Sequence, residues 1–188
     1  MRIVILGNSG SGKSTLARRL GNDLGIPHFH MDRLHWKPGW QASTEEELHA
    51  KVVEVVQVPD WIIDGNYSRA THFHERLSRA DIALVLEIPV LLSLLRVGKR
   101  WLTYIGRTRP DMGAGCREKW TIDWEFFRWI ITWPQRKHRT YARLAEYPHL
   151  DVRVLDQHYK YAELLASLRQ LKAAERVTAA PRLRDQEH

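Results

Sequence analysis

At 188 residues and 22.1 kDa, with 44% hydrophobic against 27% charged residues, the chain has the size and apolar content of one domain around a single core. This excludes intrinsic disorder over most of its length. The longest uncharged apolar stretch, residues 88–95, is far short of the roughly 20 residues that a membrane-spanning helix needs. The opening Met1-Arg2-Ile3-Val4-Ile5-Leu6 runs into glycines without the apolar region and cleavage site of a secretory signal. Cys116, the single cysteine, has no partner in the chain for a disulfide and belongs to no Cys-x-x-Cys pair. The expectation is a protein of the reducing cytoplasm with no membrane partner.

The net charge is +7 and the isoelectric point is near 9.7. Residues 96–143 carry twelve Lys/Arg and four acids, a surplus of +8, and the rest of the chain sums to −1. An excess confined to one block is the pattern of a localised polyanion site. Basic residues on a solvated helix face are the plain alternative.

In chain order, residues 2–6 form a short β-branched run that leads into glycines, and residues 13–24 have helical spacing at Leu16, Ala17, Leu20 and Leu24. Gly25 and Pro27 stop that helix, residues 28–31 read as a second strand, and Ser43 or Thr44 caps a helix that runs to about Gln57. Residues 61–64 are a third strand, 69–78 a short helix, 82–88 a fourth strand, and Pro89 opens a helix to about Tyr104. A Gly/Pro-rich loop, 106–115, precedes a helical stretch at 122–146 that Pro134 kinks or interrupts. Residues 152–155 are a fifth strand, 159–174 a last helix, and 175–188 a polar tail. Apolar strands that alternate with helices predict an α/β, doubly wound parallel sheet covered on both faces. The organisation expected is one domain over residues 1–174.

Gly7-Asn8-Ser9-Gly10-Ser11-Gly12-Lys13-Ser14 matches G-x-x-x-x-G-K-[ST] between a predicted strand and a predicted helix. Glycines at 7, 10 and 12 let backbone amides turn inward and, with the helix N-terminus, cradle phosphate oxygens. Lys13 then reaches the β- and γ-phosphates, and the Ser14 hydroxyl serves Mg²⁺. Asp64 stands at the C-terminal end of a predicted strand, where open parallel sheets bind ligands, and can hold a metal-bound water. A capping role at a strand-to-turn junction is the alternative. No N-K-x-D occurs, so guanine recognition of the GTPase type has no residues here.

With these motifs the chain resembles the nucleoside monophosphate kinase-like branch of the small P-loop kinases, relatives of adenylate, shikimate and gluconate kinases. Within it, the motifs resemble the bacterial proteins labelled adenylate kinase-like or DNA topology modulation protein. The resemblance covers most of residues 1–173 and rests on Gly7 to Thr15, His30-Met31-Asp32, Trp36-Lys37-Pro38-Gly39-Trp40, Asp64-Gly65-Asn66-Tyr67-Ser68-Arg69 and Arg107-Thr108-Arg109-Pro110-Asp111-Met112. It implies a five-stranded sheet in the order 2-3-1-4-5 and a mobile helical lid after strand 4, at about residues 101–140. It also implies that Arg96 covers adenine and Arg100 touches phosphate. Two departures stand out. The arginine that adenylate kinases carry shortly after the second strand is absent at the expected spacing, and Arg69 sits one residue late with no proline before it. The run His30-x-Asp32-x-x-His35 looks more like kinases of hydroxyl acceptors, in which an Asp takes the acceptor's proton.

The expected function is therefore transfer of the γ-phosphoryl group of ATP to a small molecule, either a hydroxyl compound or a nucleotide. Gly7, Ser9, Gly10, Ser11, Gly12, Lys13, Ser14, Thr15 and Arg96 bind the nucleotide, and Ser14 and Asp64 serve Mg²⁺. Lys13, Asp32, Arg100, Arg107 and Arg109 act in catalysis, and His35, Trp36, Asn66 and Arg69 lie near the acceptor. Arginines suit this work because negative charge spreads over the phosphoryl oxygens as transfer proceeds. Five of the eight tryptophans lie at 101–133; the reading is that they pack the lid against the main domain, with stacking on a base or aromatic acceptor as the functional alternative. The rival function is a nucleotide-dependent DNA-binding regulator that uses the basic block and its interleaved aromatics. His28-x-His30 and His72-x-His74 lack the spacing of a zinc site.

Overall fold

The computed structural model describes residues 1–67, 71–109, 112–113, 115–118 and 124–179. Five parallel strands form the central sheet: β1 (Arg2–Gly7), β2 (His28–His30), β5 (Trp61–Asp64), β6 (Ile82–Leu86) and β7 (Asp151–Leu155). They lie in the order β2-β5-β1-β6-β7. Two strands of two residues each, β3 (Trp36–Lys37) and β4 (Gln41–Ala42), pair antiparallel in a separate ribbon, so the numbering differs from the expected 2-3-1-4-5 by that insertion.

Alternation along β1 shows why the sheet has two covers. Val4 and Leu6 join a buried cluster with α3 (Glu45–Val56), α4 (Thr71–Arg79) and Leu144 of α7 (Trp133–Ala145). Ile3 and Ile5 join a second cluster with α1 (Lys13–Leu24) and α8 (Tyr161–Ala179). A parallel sheet is stable only with both faces covered, and helix crossovers supply the covers. Thr44 caps α3 through a capping box with Glu47, which satisfies first-turn amides. Among the described residues no helix is long and apolar enough to cross a membrane.

Three elements differ from the reading of the sequence. The second strand stops at His30 and a short helix, α2 (Met31–His35), begins at once, because β5 ends at Asp64 and offers nothing further to pair. The stretch at 122–146 is two helices, α6 (Trp124–Ile131) and α7, with residues 122 and 123 outside the described residues. Thr132 breaks them, and Pro134 falls in the first turn of α7, where its missing N–H leaves no bond unmade. Helix α8 runs through Ala179, five residues into the expected tail, and residues 180–188 lie outside the described residues.

The register brings strand ends together. Ile5 and His30 both pair with Asp64, and Gly7 pairs with Leu86. Beyond β6, helix α5 (Val90–Tyr104) packs directly on the loop that follows β1. Gly10 has φ +76, and a Cβ there would stand 2.4 Å from the Ser93 carbonyl oxygen and 2.9 Å from Val97 Cγ2. Gly10→Ala should therefore destabilise the protein by more than about 1 kcal/mol, through both the positive φ and the clash. Urea unfolding checks this; an unchanged midpoint would show that α5 does not bear on the loop.

Candidate active site

The loop from Gly7 to Gly12 leaves β1 and enters α1 with positive φ at Gly7, Gly10 and Gly12. These are left-handed or extended conformations that L side chains rarely adopt, and they turn amides toward one concavity at the start of α1. Lys13 Nζ donates to the Asn8 carbonyl at 2.7 Å, across the loop. Arg96 on α5 reaches over it and donates to the Ser11 carbonyl at 3.2 Å, while Ser14 is half-buried and Thr15 exposed. Ser9 is held by its neighbour, its N–H donating to Asn8 Oδ1 at 2.9 Å. Glycine amides, a lysine, an arginine and a hydroxyl at the first turn of a helix are donors that fit a nucleotide polyphosphate and its Mg²⁺.

The rest of the site forms where β2 and β5 end. Asp64 is buried, and its Oδ2 lies 3.1 Å from His30 Nδ1. Asp32 Oδ1 accepts the Tyr67 hydroxyl at 2.8 Å. Burial raises the Tyr67 pKa, and the Asp32 carboxylate adds to that, so the phenol stays the donor. His35 packs against both Trp36 and Tyr67, with ring centroids 4.8 and 5.1 Å away, and Trp40 continues the row at 5.5 Å from Trp36. Asn66, expected at the acceptor, has its amide engaged elsewhere: Oδ1 accepts from the Gly7 N–H at 3.0 Å and Nδ2 donates to the Gly7 carbonyl at 2.8 Å. It braces the phosphate loop. Arg69 lies outside the described residues.

The segment after α5 carries the remaining arginines. Arg100 is one turn beyond Arg96 and half-buried. Arg107 is exposed, and its carbonyl accepts from the Glu118 N–H at 2.9 Å while the Gly106 N–H donates to the Glu118 carbonyl at 3.0 Å. Arg109, expected to act in catalysis, is 7% exposed, with its Nε 2.6 Å from Glu118 Oε1. This segment also holds the aromatic ribbon: Trp40 Nε1 donates to the Arg117 carbonyl at 2.6 Å and Gly39 N to the Gly115 carbonyl at 3.2 Å. The tryptophans divide. Trp133 is buried, but Trp124 is 74% exposed, which corrects the expectation that it packs the lid, since its side of α6 faces solvent. Trp120 lies outside the described residues.

Sequence reasoning missed three participants. Asn8 occupies a variable position of the motif, yet it is fully buried and its Nδ2 donates to the Ile130 carbonyl at 3.0 Å, which ties the phosphate loop to the end of α6. Tyr67 was quoted only as part of a motif. Glu87, at the end of β6, accepts from Lys137 and Tyr141 at 2.8 Å each, and Lys137 draws its pKa down. Beside it Pro89, Val90 and Trp133 help line a cavity of about 280 Å³. An acid directly after a strand was the one available signal for Glu87.

A parallel sheet of this order with a phosphate loop after its first strand, and an arginine-bearing helix across it, is the fold of the small P-loop kinases. Solved structures of that fold superpose on nearly the whole chain. A shikimate kinase from Bacteroides thetaiotaomicron matches with a TM-score of 0.57 and 18% identity, over 92% of this chain and 98% of that one. A shikimate kinase from Acinetobacter baumannii in complex with shikimate matches with a TM-score of 0.54 and 17% identity, over 93% of each chain. A gluconokinase from Sinorhizobium meliloti matches with a TM-score of 0.48 and 16% identity, over 100% of this chain and 97% of that one. No family model and no curated protein matches the sequence.

A buried imidazole lies behind Tyr67, with ring centroids 6.4 Å apart. His72 on α4 is 2% exposed, and burial first, then Arg76 and His49, push its pKa down to about 4 from an ordinary 6.5. Its Nδ1 is 3.6 Å from Glu45 Oε1. The unfolded chain takes up this proton as pH falls through about 6.5, whereas the folded chain resists until about 4. Stability is thus unaffected by His72 above 6.5 and falls between 6.5 and 4. Melting temperatures across this range should fall less steeply for His72→Gln than for the wild type; parallel slopes would mean that His72 protonates freely in the folded state.

Proposed function

We propose that the protein is an ATP- and Mg²⁺-dependent kinase of a small molecule, acting on a hydroxyl group. What carries this reading is the pairing of two features on one loop: Asn66 grips the phosphate loop at Gly7, and the next residue, Tyr67, orients the Asp32 carboxylate. A phosphate donor and a proton acceptor are what transfer to a hydroxyl requires. The folds of two shikimate kinases add support, since each superposes over more than nine-tenths of this chain.

When bound, Mg-ATP supplies the phosphoryl group and neutralises charge on its oxygens. The amides from Gly10 to Ser14 and the Lys13 ammonium would hold the phosphates, the Ser14 hydroxyl would serve the metal, and Asp64, 3.1 Å from His30 Nδ1, would hold a metal-bound water. Arg96 and Arg100 flank the nucleotide. Arg107 and Arg109 belong to the segment that covers it, and the Glu118 carboxylate fixes the direction of the Arg109 guanidinium. On the acceptor side, Tyr67 holds Asp32 Oδ1, so Oδ2 takes the proton as the acceptor oxygen attacks. His35 and Trp36 form the wall beside it. The adenylate kinase-like reading, with a nucleotide as acceptor, has less support, because no arginine stands at the spacing that adenylate kinases show after the second strand. A cytoplasmic location accords with this reading.

ADP release from Mg-ATP, measured against hydroxyl compounds, sugars, nucleosides and nucleoside monophosphates, tests the reading. Turnover is expected with a hydroxyl compound, and Asp32→Asn should lower kcat by about 10²- to 10⁴-fold while ATP affinity stays within a few-fold. Transfer to a nucleoside monophosphate that survives Asp32→Asn would return Asp32 to a capping role and overturn the hydroxyl reading.

One observation favours a second reading, a DNA-binding regulator. Arg136 lies 4.3 Å over the ring of Trp129, which is part-exposed, and Trp124 is open to solvent on the preceding turn of the basic block. Arginine-aromatic surfaces of this kind bind nucleic acid through stacking and phosphate contacts. DNA binding that weakens steeply between low and high salt would support it. The kinase reading expects Mg-ATP binding with a much shallower salt dependence and no such DNA complex.

A further inference from the structure

Arg76 on α4 is fully buried, and among the described residues its hydrogen bonds run to main-chain carbonyls. Nη1 donates to Gly65 O at 2.7 Å, and Nη2 to Asn66 O at 2.8 Å and Tyr67 O at 3.5 Å. Nε faces His72 O at 3.4 Å, one turn back on its own helix. Burial pushes its pKa down to about 10, with Asp64 and Tyr67 acting in the opposite direction. A buried guanidinium is costly unless its donors are satisfied, and here the satisfaction comes from one loop.

That loop is strained. Gly65 has φ +119, and a Cβ there would stand 2.7 Å from Met31 Cβ. Tyr67 has φ +34, and with Trp40 it is one of two non-glycine residues at positive φ among the described residues. Bulky side chains rarely enter this region, and such strain persists only where surrounding contacts over-determine it. Three successive carbonyls converging on one planar fork supply that constraint.

Each end of the loop has an errand in the site. The Asn66 amide closes on Gly7, and the Tyr67 hydroxyl closes on Asp32. We propose that Arg76 is a positioning residue for phosphoryl transfer: by fixing the carbonyls of Gly65, Asn66 and Tyr67, it sets the register between the phosphate loop and the Asp32 carboxylate. The proposal rests on the kinase reading, because it takes Asp32 to face the acceptor. Donor and base are thereby held by a single buried cation that touches neither substrate.

Arg76→Lys keeps the charge and loses the fork, so it separates geometry from electrostatics. With the acceptor that gives the highest ADP release, kcat should fall on the order of 10²-fold, the scale of a small misplacement of reacting groups. The KM for Mg-ATP, set by Gly10 to Ser14, should change little. In a Tyr67→Phe background, where the link to Asp32 is already cut, Arg76→Lys should cost much less, a coupling that double-mutant analysis reads directly. Independently of any acceptor, the Gly7 amide, which donates to Asn66, should exchange its hydrogen about fivefold faster in Arg76→Lys, in line with a weakened hydrogen bond. Amides of β6 and β7 should keep their protection. Unchanged Gly7 exchange, additive effects of the two substitutions, or a uniform loss of protection across the sheet would each overturn the proposal. Wild-type protein that releases no ADP with any acceptor would overturn the kinase reading and the catalytic part of this one, while Gly7 exchange would still decide whether the clamp exists.

Discussion

The Asn66 side-chain amide meets both polar groups of the Gly7 backbone, and the rest of the site depends on that pair of bonds. Gly7 is the last residue of β1, where its neighbours in the sheet can no longer supply ladder partners on the β5 side, since β5 ends at Asp64. A side chain of matching donor and acceptor substitutes for the missing ladder. The consequence reaches beyond satisfaction of two groups. The direction in which the chain leaves β1 is fixed by a residue from β5's exit, so the phosphate loop and the Tyr67–Asp32 pair share one support.

The loop is braced from its other sides by packing. Asn8 ties it to the end of α6, and Gly10 presses on α5 closely enough that a single added methyl meets backbone. Main-chain contacts of this kind transmit position well because interiors are dense and yield little. Helices α5 and α6 are therefore in contact with the loop itself. The aromatic ribbon is in turn bonded to residues 115 and 117 through Gly39 and Trp40.

The charge surplus of residues 96–143 is distributed among distinct duties. Arg96 lies over the phosphate loop, Lys137 pairs with Glu87, and Arg109 pairs with Glu118. Arg136 stacks on Trp129, and Arg143 lies 5.6 Å from the Phe73 ring. The Arg109–Glu118 pair is already counted in the +8, stacking leaves an arginine's charge intact, and only Lys137 is set against an acid from outside the block, Glu87. The block is better described as the frame of a site than as a uniform basic coat.

The sequence by itself determined the fold class, the five strands and the phosphate loop, because each is a local signal: apolar runs at fixed spacing, glycines where φ must be positive, and a lysine and serine at a helix start. It also located Asp64 at a strand end, whereas Asp32, expected at the end of the second strand, lies in the first turn of α2. The tertiary structure alone decided which of these residues face a ligand and which hold others in place. Asn66 and Asn8 look alike as polar loop residues, but register turns both toward main chain 59 and 122 residues away. Trp124, expected to pack the lid, stands in solvent, and the ion pair of Arg109 with Glu118 could not be read from the chain. Arg76 reads as an ordinary surface residue of an amphipathic helix, since nothing within four residues of it in the chain shows that three carbonyls from residues 65–67 converge on it. Partner identity over such separations is set by how strands are ordered and where they end, and a one-dimensional pattern of polarity does not contain it.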